Sequence, residues 1–182
     1  MKGQIWISAV LYIAIGVVAI SLILSAGLPL INKMRDRNTV MQTKELLHTF
    51  DEAIRQVASE GIGSQRVLDP VIIRGGKLSI ENDKIKWQMD TETQMMEPCD
   101  VSGESCSDKK LIQNEGNIEM FLEITPVEGE YISHLNLNYG SSIKLGLSLD
   151  SKITGSLTGK YVILVKYEKV AGEKPFIAIS VS

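Results

Sequence analysis

IWISAVLYIAIGVVAISLILSAGLPLI, residues 5–31, carries no charged side chain from end to end. As a helix rising about 1.5 Å per residue it would be roughly 40 Å long, more than a hydrocarbon core of about 30 Å requires. The stretch is therefore either a membrane anchor or the spine of an assembly. In front of it stand Met1, Lys2, Gly3 and Gln4. A secretory signal peptide has a shorter apolar core, roughly 7–15 residues, ahead of its small-residue cleavage site. Ser25-Ala26-Gly27 imitates such a site, but the core before it is too long.

Beyond Ile31 the pattern turns amphipathic. Val40, Leu47 and Ile54 recur every seven residues, Phe50 and Val57 follow the last two by three, and Leu46 and Ala53 flank the stripe. Arg37, Lys44, Glu45, Glu52 and Arg55 keep the rest of the circumference polar. One helix is expected from about Gln4 to Glu60, its second half laying an apolar face on a partner, most economically a sheet of the same chain. Gly61-Ile62-Gly63 is the expected stop, because glycine tolerates the left-handed conformation of a helix C-cap. Inside the apolar half, Pro29 removes an amide donor and crowds the Ser25 carbonyl, so a kink or an opened turn is expected there. Ala9, Gly16, Ser21, Ser25, Ala26 and Gly27 are small enough to let neighbouring helices approach, or else they simply face lipid.

From Gln65 the period falls to two. Val67 to Ile73 reads as a strand with Pro70 marking an edge or a bulge. Lys77–Ile80 and Lys84–Met89 read as a hairpin burying Leu78, Ile80, Ile85, Trp87 and Met89. Ile118 to Thr125 alternates cleanly. Leu135, Leu137 and Tyr139, then Ile143, Leu145, Leu147 and Leu149 across Gly140-Ser141-Ser142, read as a second hairpin with one wet face. Tyr161–Tyr167 is apolar on both parities, as a central strand should be, and Phe176–Val181 follows the Ala171–Pro175 turn. Asp90 to Gly116 is long and aperiodic, the kind of segment that is often functional. The fold class expected is α+β: a long N-terminal helix packed on a C-terminal antiparallel β-rich head.

The chemistry of enzymes is missing from the pattern. His48 and His134 are far apart and fit no metal-ligand spacing. Gly61-Ile62-Gly63-Ser64 lacks the helix that a phosphate-cradling loop needs. Glu92, Glu97, Asp100 and Glu104 crowd one loop without EF-hand spacing, and a solvated cluster is the expectation. No catalytic role, metal or cofactor is expected. A formal charge of −3 without a Lys/Arg stripe gives no footprint for nucleic acid. Cys99 and Cys106 are the two cysteines, with no His or third Cys beside them. A small disulfide ring outside the cytoplasm suits them better than a metal site, with two free thiols as the alternative. Lys33, Arg35 and Arg37 against Lys2 point the other way, mildly favouring a cytoplasmic C-terminal part.

Lys2-Gly3-Gln4 followed at once by a long apolar helix resembles the class III signal of archaeal type IV pilin-like proteins. The resemblance implies cleavage by a prepilin peptidase between Gly3 and Gln4, with the apolar segment retained as filament core. It implies a leader at 1–3, a transmembrane and filament-core helix at 4–31, an amphipathic helix at 32–60 and an extracellular β-rich head at 61–182. The implied partners are other copies of the chain or related pilins, the peptidase, an assembly platform, and the membrane before assembly. The implied location is single-pass membrane as precursor and cell-surface filament afterwards, with adhesion among the roles such filaments serve. Many type IV pilins carry a glutamate at the fifth mature position; Ser8 stands there, which leaves a minor or pilin-like component open. Ser8, Gly16, Gly27 and Pro29 are the implied assembly positions. Two alternatives remain: a single-pass anchored extracellular β-domain that binds a ligand or partner, and a pseudopilin of a secretion or uptake machine.

Overall fold

The computed structural model describes residues 2–81, 83–99, 112–127, 129–140, 142–147, 157–171 and 174–182. The chain divides into two compact units, Met1–Arg37 and Asn38–Ser182. The helix α1 (Lys2–Glu60) supplies the whole described part of the first unit and the opening of the second. Its backbone stays helical through Pro29, with no opened turn.

Within the second unit the stripe lands as its spacing requires. Leu47, Phe50, Ile54 and Val57 are fully buried, with Val40 and Ala53 nearly so. Positions three and four apart share one side of a helix, so these residues form one ridge, and each buried aliphatic or aromatic side chain contributes about 1.5–3 kcal/mol. Thr43, also buried, returns its hydroxyl to the Thr39 carbonyl at 2.9 Å and so leaves no orphan polar group in the core. Gly61 ends the helix at φ 96°. Just past it, Ser64 Oγ donates to the Val57 carbonyl at 2.8 Å and shares that proton with the Gly61 carbonyl at 2.7 Å.

The sheet takes the rest of the unit. Among the described residues it has nine strands: β1 (Gln65–Glu81), β2 (Lys84–Thr91), β3 (Pro98–Cys99), β4 (Gln113–Glu115), β5 (Ile118–Ile124), β6 (Tyr131–Asn138), β7 (Lys144–Leu147), β8 (Leu157–Ala171) and β9 (Lys174–Val181). Their order is β3-β5-β6-β2-β1-β8-β9-β7, with β4 alongside β5. The class is α+β, one long N-terminal helix and a large antiparallel-rich sheet. The sheet curls. β7 and β1 touch although β8 and β9 lie between them, a separation of about 14 Å in a flat sheet at roughly 4.8 Å per strand. The Leu145 amide donates to Asp83 Oδ1 at 3.2 Å across the same closure.

Several expectations hold at this level. β1 and β2 form the hairpin in the register Lys77↔Gln88 to Glu81↔Lys84, with Leu78, Ile80, Ile85 and Trp87 buried. β8 is interior, between β1 and β9. Others are corrected. The hairpin expected across Gly140-Ser141-Ser142 does not form: β6 already has β5 on one side and β2 on the other, so β7 crosses to run parallel with β9. Of the two readings of Pro70, the bulge holds, as a register shift between Leu68 and Val71 on the β8 side, and the edge does not, since β1 lies between β2 and β8. The segment Asp90–Gly116 is not wholly loop, because Pro98-Cys99 pairs parallel with β5 and Gln113–Glu115 pairs with it antiparallel. Leu149 lies outside the described residues.

Gly75 and Gly76 sit inside β1 at φ 71° and 66°. Gly75 presents its carbonyl to Trp87 Nε1 at 3.1 Å. A Cβ on Gly76 would stand 2.6 Å from the indole and 2.5 Å from the Gln88 carbonyl oxygen, so only glycine lets β1 close over the buried tryptophan.

Candidate functional site

In the first unit the described side chains from Trp6 to Ile31 form a predominantly apolar and exposed helix surface. Trp6 is 77% exposed, Tyr12 75% and Ile23 71%, and the large side chains between Val10 and Ile31 are exposed on every side of the helix. A helix that is apolar all round is not a surface helix of a water-soluble domain, which would be apolar on one stripe. This one is long and apolar enough to span a membrane. Its hydroxyls do not spoil that chemistry: Ser21 Oγ donates to the Val17 carbonyl at 2.8 Å and Ser25 Oγ to the Leu22 carbonyl at 3.0 Å. Polar groups satisfied within the helix remove the penalty for an apolar surround.

The residues singled out for processing and assembly fall on this unit. Gly3 and Gln4 are in the first turns of α1, Ser8 and Pro29 are exposed, and Gly16 and Gly27 are open, since a Cβ on either would meet nothing within 4 Å. Trp6, Val10, Leu11 and Ala14 line a shallow apolar concavity. In the second unit, Cys99 is buried in β3 and disulfide-bonded. Cys106 lies outside the described residues, as do Asp100 and Glu104 of the acidic loop.

The second unit also holds a polar seam that the sequence pattern did not announce. Asp51, on the flank of the helix stripe, accepts from Tyr139 Oη at 2.8 Å and from Asn117 Nδ2 at 2.9 Å, with Arg55 3.9 Å away. Burial, and then the hydrogen bond to Asp51, push the Tyr139 phenol well above its ordinary pKa. Two turns earlier on the helix, Lys44 pairs with Glu115 of β4, and one turn earlier His48 Nε2 stands 3.1 Å from the same carboxyl. The Lys44 hydrogen bond holds the Glu115 carboxyl below its usual value against the opposing effect of desolvation. Lys44, Glu115, Gln113, Asn114, Ile118 and Met120 line a cleft of about 280 Å³. Tyr139 was legible only as a buried apolar position; the hint was that a buried phenol seeks a partner.

His134 projects from the opposite face of the sheet. Its ring stacks on Phe121 with centroids 4.5 Å apart and planes at 10°, and its Nε2 lies 2.7 Å from Glu123 Oε2. His48 and His134 are thus on separate elements, each beside a single glutamate. Among the described residues no three His, Cys, Asp or Glu side chains gather as a metal site. No known family model matches the chain, and no curated protein or solved structure is similar to it.

Proposed function

We propose that this chain is a structural subunit of an archaeal type IV pilus-like surface filament, inserted first as a single-pass membrane protein and processed after Gly3. The observation that carries the reading is one helix with two environments. The large described side chains from Trp6 to Ile31 are apolar and exposed on all sides, whereas Leu47, Phe50, Ile54 and Val57 of the same helix are buried against a β-sheet. An uncovered apolar helix requires a solvent other than water, and lipid is the first such solvent. Neighbouring helices in a filament are the second, so the segment leaves the bilayer without meeting water. Cys99 and Cys106 form the disulfide on this reading, which places the sheet outside the cytoplasm. The chain acts by assembly and not by catalysis.

The test is the N-terminus together with the location of the protein. Mass spectrometry of membrane and sheared-surface fractions is expected to find Gln4 as first residue in both, with the protein enriched in sheared filaments. A Met1 start and no release by shearing would overturn the proposal in favour of a single-pass anchored β-domain. Processing at Gln4 without surface filaments would favour a pseudopilin.

A further inference from the structure

We infer that the outward face of the sheet carries two patches of opposite charge, through which one copy of this chain docks head to tail on the next. The inference rests on the filament reading and names the contact between heads that it needs. Alternation sorts the sheet: residues in register with the core-facing Ile163, Val165, Ile177 and Ile179 point to the helix, and their neighbours point away. On the β8–β9–β7 side the outward positions include Lys144, Lys160 and Lys166, and Lys169 lies over the Phe176 ring at 5.3 Å. None of these four lysines forms an ion pair among the described residues. Beside them, Val67 is 60% exposed and Ile72 43%, the first in register with Leu164 and the second with Lys160.

The β5–β6 side has the opposite sign. Its outward positions hold Glu119 and Glu123, with Phe121 and Ile132 as their apolar neighbours. Glu119 accepts from Asn138 Nδ2 at 2.9 Å and Glu123 faces His134, so neither acid has a lysine or arginine partner among the described residues. Between the two patches, Lys86 and Glu81 face each other at 3.9 Å, leaving that part of the face mixed in sign. Each patch therefore combines apolar surface, exposed at Val67 and Ile72 and half-buried at Phe121 and Ile132, with unneutralised charge, the composition of a protein interface with its polar rim.

The pairing of signs decides the occupant. A two-fold contact centred on either patch sets like charges against each other, which is disfavoured, and a two-fold contact spanning both patches closes a pair of copies and cannot extend a filament. Joining the lysine patch of one copy to the glutamate patch of another relieves both, and a heterologous contact that does not close repeats into a filament. A foreign polyanion would fit the lysines but would leave the glutamate patch without a role.

The test uses the full chain assembled in its cells, with sheared filament yield as the readout. Lys160→Glu with Lys166→Glu, and separately Glu119→Lys with Glu123→Lys, are each expected to lower yield about tenfold, since rim charges act on association. Combining all four changes is expected to restore yield to within about threefold of the parent, the signature of direct coupling. Circular dichroism of each detergent-extracted precursor establishes that the sheet is folded. Normal filaments from either reversed variant would overturn the inference and leave the filament reading standing. Loss with the lysine changes alone would point to an anionic partner of another kind, and loss without rescue would refute pairing between the patches. Absence of filaments from the parent would overturn both.

Discussion

Replacing Phe50 and Leu22 by alanine, one at a time, separates the two environments of the single helix. Phe50 is fully buried against the sheet and Leu22 is 65% exposed. Truncating a buried phenylalanine costs about 3–5 kcal/mol, the lost transfer energy plus the cavity left behind. Against a total stability of about 5–15 kcal/mol this is roughly a fifth or more of what holds the unit together. At about 2–4 °C per kcal/mol for chains of this size, Phe50→Ala should lower the unfolding midpoint by roughly 6–20 °C. Leu22→Ala removes more exposed surface than contact and should change stability by less than about 0.5 kcal/mol. The assay is thermal unfolding of the full chain in detergent micelles, followed by near-ultraviolet circular dichroism. Fully buried Trp87 dominates that signal over exposed Trp6. Equal midpoints for the two variants would refute the division of the helix into an uncovered and a buried half.

Gly76→Ala is expected to destabilise by about 3 kcal/mol or more, because left-handed strain of roughly 1–2 kcal/mol adds to a clash with Trp87 and the Gln88 carbonyl. Gly75→Ala meets only Thr39 at 3.2 Å and Met89 at 3.5 Å and should cost clearly less; equal denaturant midpoints would contradict this. Tyr139 is expected to stay protonated in the folded protein at pH values where a free phenol ionises, by ultraviolet titration. Its folded pKa is raised, so the stability it confers is complete below pH about 10 and falls by about 1.4 kcal/mol per pH unit above that, as the unfolded phenol ionises and the folded one does not. Asp51→Ala strands the Tyr139 hydroxyl and the Asn117 amide and should cost about 2–3 kcal/mol, with Tyr139→Phe in the same background costing little further in a double-mutant cycle. The Glu115 carboxyl is lowered, so its contribution is present above pH about 4.3 and fades as pH falls further; Glu115→Gln should lower the neutral plateau slightly, leave the acid end unchanged and so flatten the acid limb between them.

Periodicity alone reached much of this molecule. The 3.6-residue stripe from Val40 to Val57 is a local property of the chain, since any helix built from it must gather those side chains on one side. The same holds for the β1–β2 hairpin, whose alternation and short connection set its register. The uncharged run from Ile5 to Ile31 needs no partner to be read, because its character is composition and length. Strand neighbours are different. Ile143 to Leu147 has the same alternation whether it pairs with β6 or β9, and that choice was made by which edges remained open once β5 and β2 had flanked β6. Pro98-Cys99 is too short to carry a pattern, and it becomes strand only because β5 offers it an edge. The Asp51, Asn117 and Tyr139 seam and the two charged patches bring together residues from distant parts of the chain. A linear pattern records which side of its own element a residue occupies; which elements stand side by side is decided only when the sheet closes.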